Sequence, residues 1–484
     1  MKAAATLLER RRAGVLLHPT SLPDATHGAL GQAARNFVDW LQVGGFTVWQ
    51  VLPLGPVGAD RSPYFARSNH AGDPGLVDLS TLVGEGLLES ERLHSAPRAA
   101  CLADAARRLQ QPGPWRAAYE HFCAQAAHWL PDYALFMAIQ LEESGRPWWE
   151  WPQALRDREG AALQQARLRL ALEIAGIEAG QYCFYTQWAA LRRYASERGV
   201  RFFGDVPIYL APDSVEVWAH RELFELDASG RSTAVAGVPP DYFSIDGQCW
   251  GNPLYRWDAH SRTGFRWWLA RLRAQFALYD LVRIDHFRGL EAYWAVPVGA
   301  PTAATGEWRT APGAALLAAA QEAFGRLAVV AEDLGTITPA VEALRDGYGL
   351  PGMRVAQFGF DGSEANVHGL HHWTANTVGY TGTHDNDTTV GWISHLDGAT
   401  RQWVADYVGA APDDVAVGLV RAVLGSVATL AVIPLQDLLG LGSEARMNLP
   451  GTINDNWRWQ FAWQEVPAGL ADRCRHWNQL YGRV

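Results

Sequence analysis

Residues 279–290 read YDLVRIDHFRGL. Leu281, Val282 and Ile284 have the character of a buried strand. Side chains alternate along a strand, so Arg283 and Asp285 share one face and Val282 and Ile284 the other. A buried carboxylate is costly unless paired. A structural ion pair at a strand end satisfies that rule, and so does a catalytic carboxylate held by its own cation. This stretch by itself does not choose between them. Other apolar runs end in the same way: RFFGDVP places Asp205, LAVVAEDLG places Glu332, and TGTHDND places His384 and Asp385. Carboxylates on separate strands, gathered at one rim, are more than an ion pair requires. Two neighbouring carboxylates are the machinery of glycoside-bond chemistry. One stays ionised to attack or stabilise the anomeric carbon, the other stays protonated for the leaving oxygen, and environment sets the roles. Arg283 beside Asp285 predicts a lowered, anionic carboxyl. Glu332 follows Val329, Val330 and Ala331 with no cation beside it, which predicts a raised one. Asp285 is therefore the expected nucleophile and Glu332 the acid/base. Asp385 is left to hold sugar hydroxyls and favour a flattened, oxocarbenium-like ring.

Eight short apolar runs could position these groups, near 14–18, 46–52, 200–208, 280–285, 327–332, 352–358, 377–382 and 426–433. Most are separated by helix-length segments, such as ITPAVEALRDGYG and the Ala-rich 314–326. Continuous apolar strands alternating with helices indicate a parallel sheet, and eight units predict a TIM (β/α)8 barrel. Its active site is built at the strands' C-terminal ends. The pattern predicts large insertions after strands 2 and 3. Residues 1–66 would hold strands 1 and 2, and 67–195 a mainly helical insertion. Strand 3 would fall in 196–210, followed by a loop subdomain at 211–262, rich in Pro, Gly, Asp and aromatics, lining the site. Residues 263–484 would hold strands 4–8 and C-terminal helices.

The chain has 484 residues, 48% of them hydrophobic, with a net charge of −10 and a pI near 5.8. That acidity argues against a nucleic-acid footprint, which would be basic. Lys2 is the only lysine, a bias that genomic codon usage explains more readily than thermal adaptation. Five cysteines, Cys101, Cys123, Cys183, Cys249 and Cys474, lie far apart with no CxxC, which fits a reducing cytoplasm better than a disulfide framework. The N-terminus lacks the apolar run of a signal peptide, and no run reaches the ~20 residues that span a bilayer. The 22 tryptophans pack cores or, in loops, stack on sugars.

These residues carry a resemblance. Arg-x-Asp on the fourth strand, a Glu ending the fifth and His-Asp after the seventh look like the α-amylase clan. HPTSLP, GDVPIYLAPDSVEVW, PPDYFSIDGQCWGNPLYRW, RIDHFRG, AEDLG, GTHDNDTT and RMNLPGT resemble, more specifically, the 4-α-glucanotransferases of the amylomaltase, or disproportionating enzyme, family. The resemblance runs from His18 to about Trp459. It implies Asp285 as nucleophile, Glu332 as general acid/base and Asp385 as transition-state stabiliser. It also implies that Arg283 and His384 contact the first donor glucose, and that Tyr64, Asp205, Gln248, Trp250 and Asn252 belong to the substrate-binding set. For Trp250, packing in a loop hinge is the alternative. The chain departs from the family pattern at Asn69, His70 and Gln460, which bears on outer glucan contacts. His368, His371 and His372 read as polar loop histidines rather than metal ligands, and the chemistry needs no cofactor. The expected partners are maltooligosaccharides and starch- or glycogen-derived α-glucans, with neither nucleic acid nor membrane. The expected activity is retaining transfer of α-1,4-glucan segments in the cytoplasm. A retaining α-glucan hydrolase and a non-catalytic glucan-binding scaffold are the rivals.

Overall fold

The structure, a computed structural model, describes residues 7–23, 25, 27–240, 245–452 and 454–484. Residues 241–244 of the PPDYFS motif lie outside them. The strands are β1 Arg12–Leu16, β2 Val48–Gln50, β3 Arg201–Pro207, β4 Ala234–Val238, β5 Gln248–Pro253, β6 Leu281–Asp285, β7 Ala292–Pro297, β8 Glu307–Thr310, β9 Val329–Ala331, β10 Gly352–Val355, β11 Thr377–Tyr380 and β12 Leu430–Pro434. Eight form one sheet in the order β10-β11-β12-β1-β2-β3-β6-β9, and every pairing in it is parallel. At the β9–β10 seam the Ala331 N–H donates to the Pro351 carbonyl at 2.9 Å. Asp333 reinforces the seam by accepting from the Met353 N–H at 2.6 Å and from Arg354 at 3.1 Å. The ring is a TIM barrel whose strands fall on the eight apolar runs of the sequence.

Period-two alternation explains why these strands are apolar on both faces. Leu16, Val48, Phe203, Leu281, Val330, Met353, Val378 and Leu430, one from each barrel strand, form a single buried cluster inside the ring. The alternate residues Val15, Trp49, Phe202 and Val282 pack outward against helices. Helix Gln32–Val43 is typical: it buries Ala33, Ala34, Phe37, Val38 and Leu41, the stripe that a 3.6-residue period gives. The inner rows change character along the strands. In β6 the inward residues are Leu281, Arg283 and Asp285, so the barrel is oily at its floor and charged at its C-terminal mouth.

Between β2 and β3 lie the helices Arg98–Gln110, Arg116–Gln125, Leu130–Glu142, Gly160–Arg169 and Ala171–Glu197. Between β3 and β6 lie β4, β5 and the helices Val215–Ala219, Trp257–Arg262 and Arg266–Leu278. A second sheet, ordered β5-β4-β7-β8 and antiparallel throughout, joins β4 and β5 to two strands from the β6–β9 connection. The sequence reading did not anticipate β7 and β8. No described helix is long and apolar enough to cross a membrane.

Candidate active site

The barrel mouth opens into a cleft of about 1290 Å³, lined by Tyr64, Gln248, Trp250, Asn252, Arg283, Asp285, Glu332 and Asp385 among others. Each charged group has an identifiable anchor. Arg283 lies opposite Asp205 in the β3–β6 register and bridges two carboxylates: one guanidinium nitrogen bonds Asp205, and Nη2 donates to Asp285 Oδ1 at 2.6 Å. The Tyr64 hydroxyl donates to Asp205 at 2.8 Å and accepts from Arg283 at 3.3 Å. Glu332 is gripped by backbone. Its Oε2 accepts from the His286 N–H at 2.6 Å and its Oε1 from the Leu334 N–H at 2.9 Å. His286 reaches it by leaving β6 in a left-handed conformation, φ 51°, an uncommon state for a residue with a side chain. Asp385 sits in the turn after β11. Its Oδ1 accepts from Asn448 at 2.7 Å, and its carbonyl accepts from Arg446 at 2.6 Å.

One guanidinium therefore faces Asp205, Asp285 and Glu332. Burial pushes the Asp285 carboxyl up; Arg283 opposes, and the nearby Asp205, Glu332 and Asp385 add to the rise, which reaches about 8. Burial raises Glu332 as well, against Arg283 and the two backbone N–H groups. The lowered Asp285 expected from the sequence is thus corrected. That expectation left out the burial of Asp285 and gave Arg283 wholly to it, whereas the guanidinium also bonds Asp205, one strand away. Burial holds the His384 ring neutral.

Comparison with known proteins adds a second line of observation. The profile of the 4-alpha-glucanotransferase family matches residues 17–465. The 4-alpha-glucanotransferase of Thermus thermophilus is 48% identical, covering 96% of this chain and 97% of that one. That of Synechocystis is 43% identical, covering 99% of both. The chain belongs to the 4-alpha-glucanotransferase family. Among solved structures, the amylomaltase from Streptococcus agalactiae in complex with acarbose matches with a TM-score of 0.94 at 35% identity, covering 98% of this chain and 100% of that one. Barrel fold and 4-α-glucanotransferase activity agree with the resemblance seen in the sequence.

Two of the residues expected to contact substrate, Asp205 and His384, are buried. The Asp205 side chain has no exposed surface, because Arg283 and Tyr64 close over it. His384 has 6% of its side chain exposed; its ring is stacked under Tyr64 at 5.2 Å and lies 5.9 Å from Trp457. Gln248 and Trp250 sit on β5, with the Trp250 indole N–H donating to Gln248 at 3.1 Å and its ring set edge-on to His286 at 4.7 Å. Asn252 donates its amide to the Leu210 carbonyl at 2.7 Å. Asn69, His70 and Gln460 are not part of the cleft lining; Gln460, for one, donates to the Thr20 carbonyl at 2.8 Å. His368, His371 and His372 bond the Val355 N–H, the Tyr407 hydroxyl and the Glu364 carbonyl separately. No His, Cys, Asp and Glu cluster among the described residues has the geometry of a metal site. Sequence reasoning missed Arg446, Asn448 and the His286 backbone. The first two stand in the RMNLPGT motif, whose polar residues were the available signal.

Proposed function

We propose that this cleft transfers α-1,4-glucan segments by double displacement, with Asp285 as the nucleophile. Arg283 holds Asp285 Oδ1, which leaves Oδ2 to attack C1 of the donor glucose. As the C1–O4 bond breaks, Glu332 gives its proton to the departing O4, and an Asp285–C1 ester forms. Glu332, now a carboxylate, takes the proton from the 4-hydroxyl of an incoming chain as that oxygen displaces Asp285 from C1. Two inversions retain the α configuration. Asp385, fixed by Asn448, holds hydroxyls of the flattened sugar. The two raised carboxyls share one proton in the empty cleft, and this chemistry needs it on Glu332. The Asp285 side chain is 29% exposed and bonded to Arg283, whereas Glu332 is buried, and both features favour that assignment.

The observation that carries the reading is the meeting of Asp285, Glu332 and Asp385, from three separate strand ends, around one aromatic-rimmed cleft. Maltooligosaccharides and starch- or glycogen-derived glucans are the proposed substrates, no cofactor takes part, and the cytoplasm is the proposed location. The test is maltotriose disproportionation. Longer and shorter chains should appear while total reducing ends stay constant, because each transfer consumes as many as it frees. Reducing ends that climb in step with maltotriose consumption would make water the acceptor and the protein a hydrolase.

A further inference from the structure

Glu332 protonates the leaving oxygen, so the departing chain, and later the acceptor, must lie on the Glu332 side of the scissile bond. The wall on that side is built from the residues that follow Glu332, including Leu334 and Thr336, together with Arg288 and Trp308. Trp308 stands on β8, the edge strand of the antiparallel sheet, and is 42% exposed. It is held from two directions. The Arg288 guanidinium lies 3.8 Å from its ring centre and also donates to the Thr336 carbonyl at 2.6 Å, which ties the ring to the loop that follows Glu332. Trp294, its cross-strand partner on β7, meets it edge to face at 5.1 Å and is itself pinned to the Ala303 carbonyl at 2.8 Å. A large aromatic ring held this firmly, yet open to a polar cleft, is not core packing. Tyr64, Trp457 and His384 cluster instead around Asp385.

We propose that Trp308, braced by Arg288 and Trp294, is an acceptor-side subsite that stacks on a glucose ring of the leaving and incoming α-1,4-glucan chain. This rests on the double-displacement reading and deepens it: a sheet-borne platform gives the acceptor residence beside the glucosyl-enzyme and keeps water from competing on number alone. Sugar C–H faces suit an aromatic face, and a ring pre-held by its neighbours loses little freedom on binding.

The test uses α-maltotriosyl fluoride as donor, whose fluoride needs no leaving-chain subsite, and 4-nitrophenyl α-maltoside as acceptor. Trp308→Ala should raise the acceptor concentration for half-maximal tagged product about tenfold, equivalent to about 1.4 kcal/mol. The share of free maltotriose should rise with it, and the donor's half-saturation should move far less. Trp308→Tyr, which keeps a ring, should recover most of the acceptor affinity and controls for misfolding. Wild-type acceptor dependence in Trp308→Ala, or equal shifts for donor and acceptor, would overturn the subsite. A wild-type enzyme that makes no tagged product would overturn the transfer reading itself.

Discussion

Burial sets the charge state of the mouth. It raises the Asp285 carboxyl from its ordinary 3.8 to about 8, against Arg283, which also serves Asp205, and with help from three neighbouring carboxylates. The consequence for stability has a definite sign. In the unfolded chain Asp285 and Glu332 ionise near their ordinary values, while in the folded cleft the two raised carboxyls keep one shared proton well above that range. Unfolding therefore releases a proton in this window, and stability falls as pH rises through it. Asp285→Asn removes one of the two carboxyls that share this proton. Its Tm should exceed that of the wild type at pH 8, with the gap closing towards about pH 4, while turnover falls at least about 10³-fold. A thermal series over that pH range checks this. A variant less stable than wild type at pH 8, or one that still turns over glucan, would contradict the assignment.

At the scale of elements, two kinds of structure meet at the cleft: barrel strands that hold the carboxylates and an antiparallel sheet that walls them. The barrel strands were legible in the sequence because each is a local apolar run, several of them leading into a polar residue, as LVRID shows. The carboxylates were legible for the same reason, being fixed by alternation within one strand. The second sheet was not. AVAGV of β4 pairs with AYWAVP of β7 across an intervening barrel strand, and no local period reports so distant a partner. The neighbours that hold these groups, Asp205 on Arg283 and Asn448 on Asp385, are likewise non-local. Trp250 belongs to this sheet, and its edge-on contact with His286 places it between packing and sugar binding. If it lines the glucan path, Trp250→Ala should raise KM for maltoheptaose several-fold more than KM for α-glucosyl fluoride. Equal losses on the two substrates would make it a packing residue of the β5 loop.

For the molecule as a whole, the closed barrel supplies rigidity and the connections above it supply specificity. The β9–β10 seam carries Glu332 and, one residue later, Asp333, whose buried carboxylate bonds the Met353 N–H and Arg345. The proposed general acid therefore stands on the stretch of chain that closes the ring. Binding energy from a glucan lying along the walls can then be directed at a bond held by groups that need not move, which is the condition for accelerating the step rather than only binding substrate. All of this turns on a covalent glucosyl-enzyme at Asp285. The most direct measurement is to trap it. Glu332→Gln removes the base needed for the second displacement, while α-glucosyl fluoride bypasses the acid needed for the first, so the ester should accumulate. Quenching in acid, digestion and mass spectrometry should find one added anhydroglucose on the peptide containing residues 281–285, localised to Asp285. An unmodified peptide alongside stoichiometric fluoride release, or glucose on a different residue, would contradict the account.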